Sequence, residues 1–504
     1  MSRTVRGALA LAVLVCGTAA GAQVRPSLRQ DSIPPLPDSL RLYGGTLPTR
    51  PALPTFEAPA GAFRLTLEEA VEIALLRNPD QAVSALEAAR AANDVTLGNA
   101  GYLPTLDASA GLVGTRGGAF GGGGGGADTT GGGGGGGGQG ATVLDVGLGL
   151  GYTVYDGGRR DATLRRLRAE ARRFALLADA DAEALAYEVT AAYLDAARQS
   201  DLADAFAEAV AVSEDRLRIA QAEVRIGTAA EIDGALALAD YNADRSAVLR
   251  QRVLLAGARA ALGGLLALPE PEAVVVTDTL ALGPPADLDA LVAEAAAGNR
   301  RVRSLEAAED AAALAVREVR SEYRPTVRAS AGLGLTGFDR GAFPPALAPS
   351  VGPDLRYGLT ASLPIFDGGE RERRVQNALI RREQAGLVAE GERVFNRARA
   401  ARLAASARGF RALVELETLN ERVARENVRV ALAQLRLGFI TPVDLRQVQL
   451  TLVDVRTRRV EAVYQARLAE AELRLLAGDL LPPGAATAPS LVESADRLDR
   501  RVFR

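Results

Sequence analysis

Two nine-residue stretches hold the side chains best placed for charge recognition. Arg225–Asp233 reads RIGTAAEID, and Arg436–Asp444 reads RLGFITPVD, 211 residues later. Each sets an Arg two residues before a Gly and an Asp six residues after it. A Gly at that place ends one helix, and the following turn starts another, so both charges gather at one hairpin end. Bond-breaking chemistry has little to work with. The chain contains no His and no Lys, and Cys16 is its only Cys. That excludes a Ser-His-Asp triad and an imidazole metal site, and a cysteine in a leader makes no nucleophile. Carboxylates remain, with 62 Asp and Glu, so a paired-acid glycosidase is the one enzyme class still open. No spacing brings two acids into a cleft. A net charge of -3 offers nothing for nucleic acid. The expectation is a non-enzyme without cofactor, metal or nucleic-acid partner.

The elements that must position these stretches are themselves duplicated. Tyr102–Leu112 reads YLPTLDASAGL and Tyr323–Leu333 reads YRPTVRASAGL, 221 residues on. Tyr155–Arg159 reads YDGGR and Phe366–Arg371 reads FDGGER, 211 on. Three landmarks in one order at nearly constant spacing mean two copies of one large unit. The expected layout is a signal peptide at 1–22, a Pro-rich segment at 23–64, copy one at 65–270, a linker at 271–285, copy two at 286–480 and a tail at 481–504. Arg3 and Arg6, an apolar run and Ala20-Gly21-Ala22 make the leader. Lipidation at Cys16 is the rival reading there.

Each copy contains two segments of period two, expected as strands at about 104–113 and 143–155, then 325–336 and 354–366. Leu144, Val146, Leu148, Leu150, Tyr152 and Val154 alternate with mostly small or polar residues, as do Leu355, Tyr357, Leu359, Ala361, Leu363 and Ile365. About 9–11 such residues cross a bilayer at barrel tilt. The Gly runs at 121–126 and 131–138 lack the Lys of a phosphate loop and read as flexible chain. Asp156-Gly157-Gly158 and Asp367-Gly368-Gly369 then turn each strand into a helix. Arg159–Ile226 runs 68 residues with neither Gly nor Pro, roughly 100 Å if unbroken. Glu370–Leu437 matches it in length, with Gly386, Gly391 and Gly409 but no Pro. Returning helices are expected at about Ala230–Leu268 and Val443–Ala477, with Thr228 and Thr441 restarting them. Thr66 and Glu69 form a capping box before the first helix.

Four membrane strands cannot close a barrel, so the chain must oligomerise. Here the residues resemble a family, the TolC-like outer-membrane efflux proteins. The resemblance spans Leu65–Leu480 and rests on LTLEEAVEIALLRNP, the YLPT and YRPT strand starts, the YDGG and FDGGE turns and the paired RxGxxxxxD tips. It implies a mostly α-helical, internally duplicated chain with long antiparallel helical hairpins forming a periplasmic α-barrel. It also implies a homotrimer with a 12-stranded β-barrel in the bacterial outer membrane. The implied role is the exit duct of a tripartite efflux or type I secretion system. The partners are a periplasmic adaptor (membrane fusion) protein, an inner-membrane transporter and outer-membrane lipid. Arg225, Gly227, Asp233, Arg436, Gly438 and Asp444 would form the entrance and the adaptor contact. Three copies of Asp444 would make a cation-attracting ring. Gln447, Leu435 and Ile440 depart from the family pattern at the gate. Tyr152, Tyr155, Tyr357 and Phe366 are the membrane-girdle residues. A periplasmic coiled-coil scaffold without channel activity is the alternative.

Overall fold

The computed structural model describes residues 63–116, 140–340 and 351–481, all within one compact unit. The leader, the Pro-rich segment up to residue 62, the Gly runs and the tail beyond Leu481 lie outside the described residues.

Copy one opens with β1 (Phe63–Leu65), α1 (Leu67–Arg77) and α2 (Pro79–Asn93). Thr66 caps α1 through the expected reciprocal box with Glu69. Asn78 ends α1 and caps α2, ahead of Pro79 at the first helical position, where a missing N–H costs nothing. Then come β2 (Thr105–Arg116), β3 (Gly140–Tyr155), α3 (Arg159–Ile226) and α4 (Glu231–Leu265). Copy two follows through β4 (Val274–Val276), with α5 (Leu288–Ala297), α6 (Arg300–Arg320), β5 (Thr326–Arg340), β6 (Val351–Ser362), α7 (Glu370–Arg436) and α8 (Pro442–Ala477).

The duplication reaches single hydrogen bonds. Asn78 donates its side-chain amide to the Leu265 carbonyl, and Asn299 donates to Leu476, both at 3.1 Å. Each ties the start of a short helix to the end of its copy's returning helix. Strand register agrees as well: Thr105 faces Gly151, and their equivalents Thr326 and Ser362 face each other.

The long helices α3 and α7 pack with α4 and α8 as antiparallel hairpins, and α3 also packs against α6 and α8 of the other copy. Alanine dominates their buried positions, including Ala196, Ala197, Ala205, Ala400, Ala404 and Ala407. Small side chains let these backbones approach closely. A larger core lies in copy one, closed by Val274 of the linker. There Leu65, Ile73, Leu185, Val189, Tyr193, Leu262, Leu266 and Val274 are buried together.

The linker expected at 271–285 is more than a connector. β4 pairs in parallel with β1, Phe63 opposite Val274, and the Tyr193 hydroxyl lies 3.0 Å from both the Leu65 carbonyl and the Asp278 carboxylate. Three-residue strands carry no periodic signal, so this small sheet was illegible in the sequence. β6 also stops at Ser362, although the alternation ran to Phe366. Its counterpart β3 continues to Tyr155 because β5 lies beside it. Beyond Ser362, β6 has no neighbour on its open side to hold the last residues extended.

Candidate functional site: hairpin tips, turns and open sheet

The four-stranded sheet runs β2-β3-β5-β6, all antiparallel. Its faces differ sharply. One carries apolar rows that cross every strand: Leu106–Leu150–Ala331–Tyr357 and Ala108–Leu148–Leu333–Leu355. The other carries Asp107–Gly149–Gly332–Arg356 and Ser109–Gly147–Gly334–Asp354. Arg356 pairs with Asp354 at 2.5 Å on that face. Leu106, Leu148, Leu150, Leu333, Leu355, Tyr357 and Leu359 are all exposed, and no helix among the described residues covers them. An apolar face this wide left to water would be an aggregation hazard. β2 and β6 also present unpaired edges.

Both strand-to-helix turns are built alike. Asp156 accepts from the Gly158 N–H (3.2 Å) and the Arg160 N–H (3.0 Å), while Asp367 accepts from Gly369 and Arg371, both at 3.2 Å. Each carboxylate thereby satisfies donors that a helix start leaves orphaned. The Arg side chains fold back on their Asp partners and stack on the tyrosine that opens the copy's first strand. Arg160 lies 5.0 Å from the Tyr102 ring centre and Arg371 lies 5.1 Å from that of Tyr323. The turns differ in one respect. Gly157, at φ +70°, has Arg324 and the Ser321 carbonyl against it, so a Cβ there would sit 2.6 Å from the Arg324 Cβ. Gly368, at φ +67°, faces open space.

At the opposite ends, α3 and α7 stop where the sequence placed the hairpin tips. Gly227 and Gly438 adopt φ of +79° and +77°, the left-handed closure that favours Gly. Asp444 lies at the third position of α8, where Oδ2 accepts from the Thr441 N–H (2.9 Å) and hydroxyl (2.6 Å). Those bonds hold the Asp444 carboxyl below the usual carboxylate range, the hydroxyl contributing most. Asp233 accepts from the Ala230 N–H at 3.1 Å. Thr228 was expected to restart the helix. Ala230 is the capping position instead, and the Thr228 hydroxyl donates back to the Glu223 carbonyl at 3.1 Å. Arg225 and Arg436 are exposed and make no ion pair among the described residues. Ile226, Leu437, Phe439 and Val443 stand exposed around them.

Sequence reasoning missed a buried polar cluster one to four turns above the tips. Arg446 on α8 forks onto Asp244 on α4, and Gln449 donates to the same carboxylate at 3.2 Å. Ser213 also bonds Asp244, and Arg216 reaches Asp240 at 2.5 Å. The signal available was polar residues recurring inside an apolar helical stripe. A concave cleft between α2 and α3 was missed too. Asp80, Glu87, Asp181 and Glu188 line it, and Ser84 donates to Asp181. Among the described residues no cluster could hold a metal ion, and no helix is long and apolar enough to cross a membrane.

Comparison with known proteins follows this geometry. Residues 70–268 and 291–479, more than half of the chain and one segment per copy, match the family of outer membrane efflux proteins. The chain belongs to that family. Solved structures of outer membrane channels and other membrane proteins share its fold. The CmeC outer membrane channel of Campylobacter jejuni aligns with a TM-score of 0.69 at 14% identity, covering 87% of this chain and 90% of CmeC. The outer membrane protein VceC of Vibrio cholerae gives 0.67 at 17%, covering 82% and 96%. A membrane protein of Pseudomonas aeruginosa gives 0.69 at 19%, covering 83% and 92%. No curated protein matches the chain by sequence. As an outer membrane efflux protein, the chain serves as the exit duct of an efflux system.

Proposed function

We propose that three copies of this chain close into one channel that spans the bacterial outer membrane and extends into the periplasm. The observation that carries this reading is the sheet: four strands, an uncovered apolar face and two unpaired edges. Unpaired edges cannot face lipid. Three copies supply twelve strands, enough to leave a lumen, whereas two would make a barrel that side chains nearly fill. The apolar rows then meet lipid, and Tyr152, Tyr155 and Phe366 lie at the rim beside the helices, where aromatic residues favour the interface. A periplasmic scaffold gives no reason for an apolar face of this extent.

The tips are the entrance and the adaptor-docking surface in this reading. Arg225 and Arg436 offer unpaired charge, and Ile226, Leu437, Phe439 and Val443 offer apolar area beside it. Gly227 and Gly438 set the tight turn that presents them. Asp444 keeps its charge because Thr441 stabilises the ionised form, so a threefold ring of Asp444 attracts cations. Asp233 is the acidic group of the first tip. The partners are a periplasmic adaptor and an inner-membrane transporter, which drives cargo into the duct. Electron microscopy of the detergent-extracted protein tests the reading. A threefold particle with a short barrel and a helical tube of about 100 Å is expected. A monomer, or a protein released from membranes without detergent, overturns it.

A further inference from the structure

Within one chain the two copies already meet along a seam: β3 on β5, and α3 on α6 and α8. Duplication makes that seam a template. The helices α1 to α4 and the strands β2 and β3 of copy one each have an equivalent in copy two, offset by 221 residues up to β2 and β5 and by 211 beyond them. The seam's other half, between copy two of one chain and copy one of the next, therefore brings α7 against α2 and α4, and β6 against β2. This rests on the closed ring proposed above.

Two observations give the template substance. The first is unequal exposure at equivalent positions. Val460 on α8 is 2% exposed at the inner seam, while its equivalent Leu249 on α4 is 59% exposed. Ala307 on α6 is 1% exposed, while its equivalent Leu86 on α2 is 47% exposed. Ser304 and Val83 show the same contrast, as do Ala205 and Leu416. Positions buried inside a chain are larger, apolar and uncovered where a partner subunit would sit.

The second is a sorting of charge. Five of the ion pairs that join the copies among the described residues are Arg166–Glu318 (2.8 Å), Arg172–Asp310 (2.5 Å), Arg300–Glu183 (2.6 Å), Arg198–Glu461 (2.8 Å) and Arg456–Glu208. Their equivalents are Asn377 with Leu97, Glu383 with Ala89, Pro79 with Val394, Gly409 with Arg250 and Arg245 with Leu419. None of the five has a charge complement. We propose that the seam between subunits repeats the seam within the chain without these ion pairs, and that it is held by the exposed apolar positions Val83, Leu86, Leu249 and Leu416 instead. Charge then joins copy one to copy two inside a chain, and apolar burial joins chain to chain.

The template fixes a register. Gly151 faces Ser330 on the inner seam, so Ser362 faces Ser109 of the partner subunit. Leu359 then meets the partner subunit's Leu112, and apolar rows stay continuous around the sheet. β6 extends past Ser362 as β3 does, since Tyr155 faces Val327 and its equivalent Phe366 faces the partner subunit's Leu106.

Cysteine pairing in the full chain tests this, in a Cys16→Ser background that removes the only natural thiol. Opposed strand residues lie within disulfide reach, and a four-residue slip lies about 13 Å away. Under oxidation, S109C with S362C is expected to link chains into dimers and trimers, and S109C with G358C is expected to leave them unlinked. Native mass in detergent is read alongside, from about 0.1 M to about 1 M salt, where surface charge is screened. The trimer is expected to persist across that range. A trimer that links through G358C, or through neither pair, overturns the register and leaves the ring standing. A trimer that dissociates in high salt overturns the apolar seam. A single-chain mass without links removes the ring, and this inference with it.

Discussion

Arg446 holds Asp244 in a fork, with Nη1 2.7 Å and Nη2 2.9 Å from the two carboxylate oxygens. The pair joins α8 of copy two to α4 of copy one just above the tips, and both side chains are largely buried. Removing one partner leaves the other charge buried alone. Arg446→Ala is expected to cost about 3 kcal/mol. Asp244→Asn with Arg446→Ala together is expected to cost less than the single change. Urea unfolding of Arg446→Ala, Asp244→Asn and the double variant measures both, and additive losses would show that the two residues do not act as a pair.

Glu183 supplies a pH dependence. Burial, the largest cause, together with Asp179 and Asp479, raises its carboxyl to about 7 against the opposing pull of Arg300. A raised carboxyl means that the folded chain holds a proton that the unfolded chain has released. Its contribution is therefore fully present below the ordinary value of 4.5 and is lost as pH rises through about 7. Melting temperature is expected to fall more steeply from pH 5 to 8 in the natural chain than in Glu183→Gln. Parallel curves would remove Glu183 as the source.

The two turn glycines are expected to differ. Gly157→Ala and Gly368→Ala share a left-handed φ, which costs an alanine about 1 kcal/mol. Only Gly157→Ala also meets Arg324, adding about 1–3 kcal/mol of overpacking. Denaturant midpoints of the unassembled chain give the comparison. Equal losses would mean that the Arg324 side moves aside freely.

At the second tip Thr441 caps the start of α8, whereas at the first tip Thr228 does not cap the start of α4. Thr441→Ala is expected to cost about 1 kcal/mol locally, seen as faster amide exchange over the first turn of α8. Thr228→Ala should leave exchange at the start of α4 nearly unchanged. A larger effect at Thr228 would reverse the capping assignment.

Much of this architecture was legible because its signals are local. The Asp-Gly-Gly turns, the 68-residue stretch without Gly or Pro and the alternating strands each depend on residues close in sequence. The tip glycines fell where they were expected for the same reason. What stayed hidden depends on neighbours distant along the chain. β1 finds β4 across 211 residues, and Asp244 finds Arg446 across 202. The cleft acids Asp80 and Asp181 come from different helices, so no spacing announced them. β6 falls short of its alternating pattern because a strand's extent is set by its partner as well as by its own residues.

The glycine rows Gly149–Gly332 and Gly147–Gly334 have a consequence for traffic. Where a side chain would stand, each position offers a hydrogen atom, so that wall is bare peptide. In the proposed channel, a molecule sliding along these rows finds no crevice to lodge in and no long side chain at the glycine positions to push aside. Dwell time there is set by bore and diffusion, and charge enters the stretch through Asp107 and the Arg356–Asp354 pair. Such a lining favours rapid release of many kinds of cargo over tight grip on one.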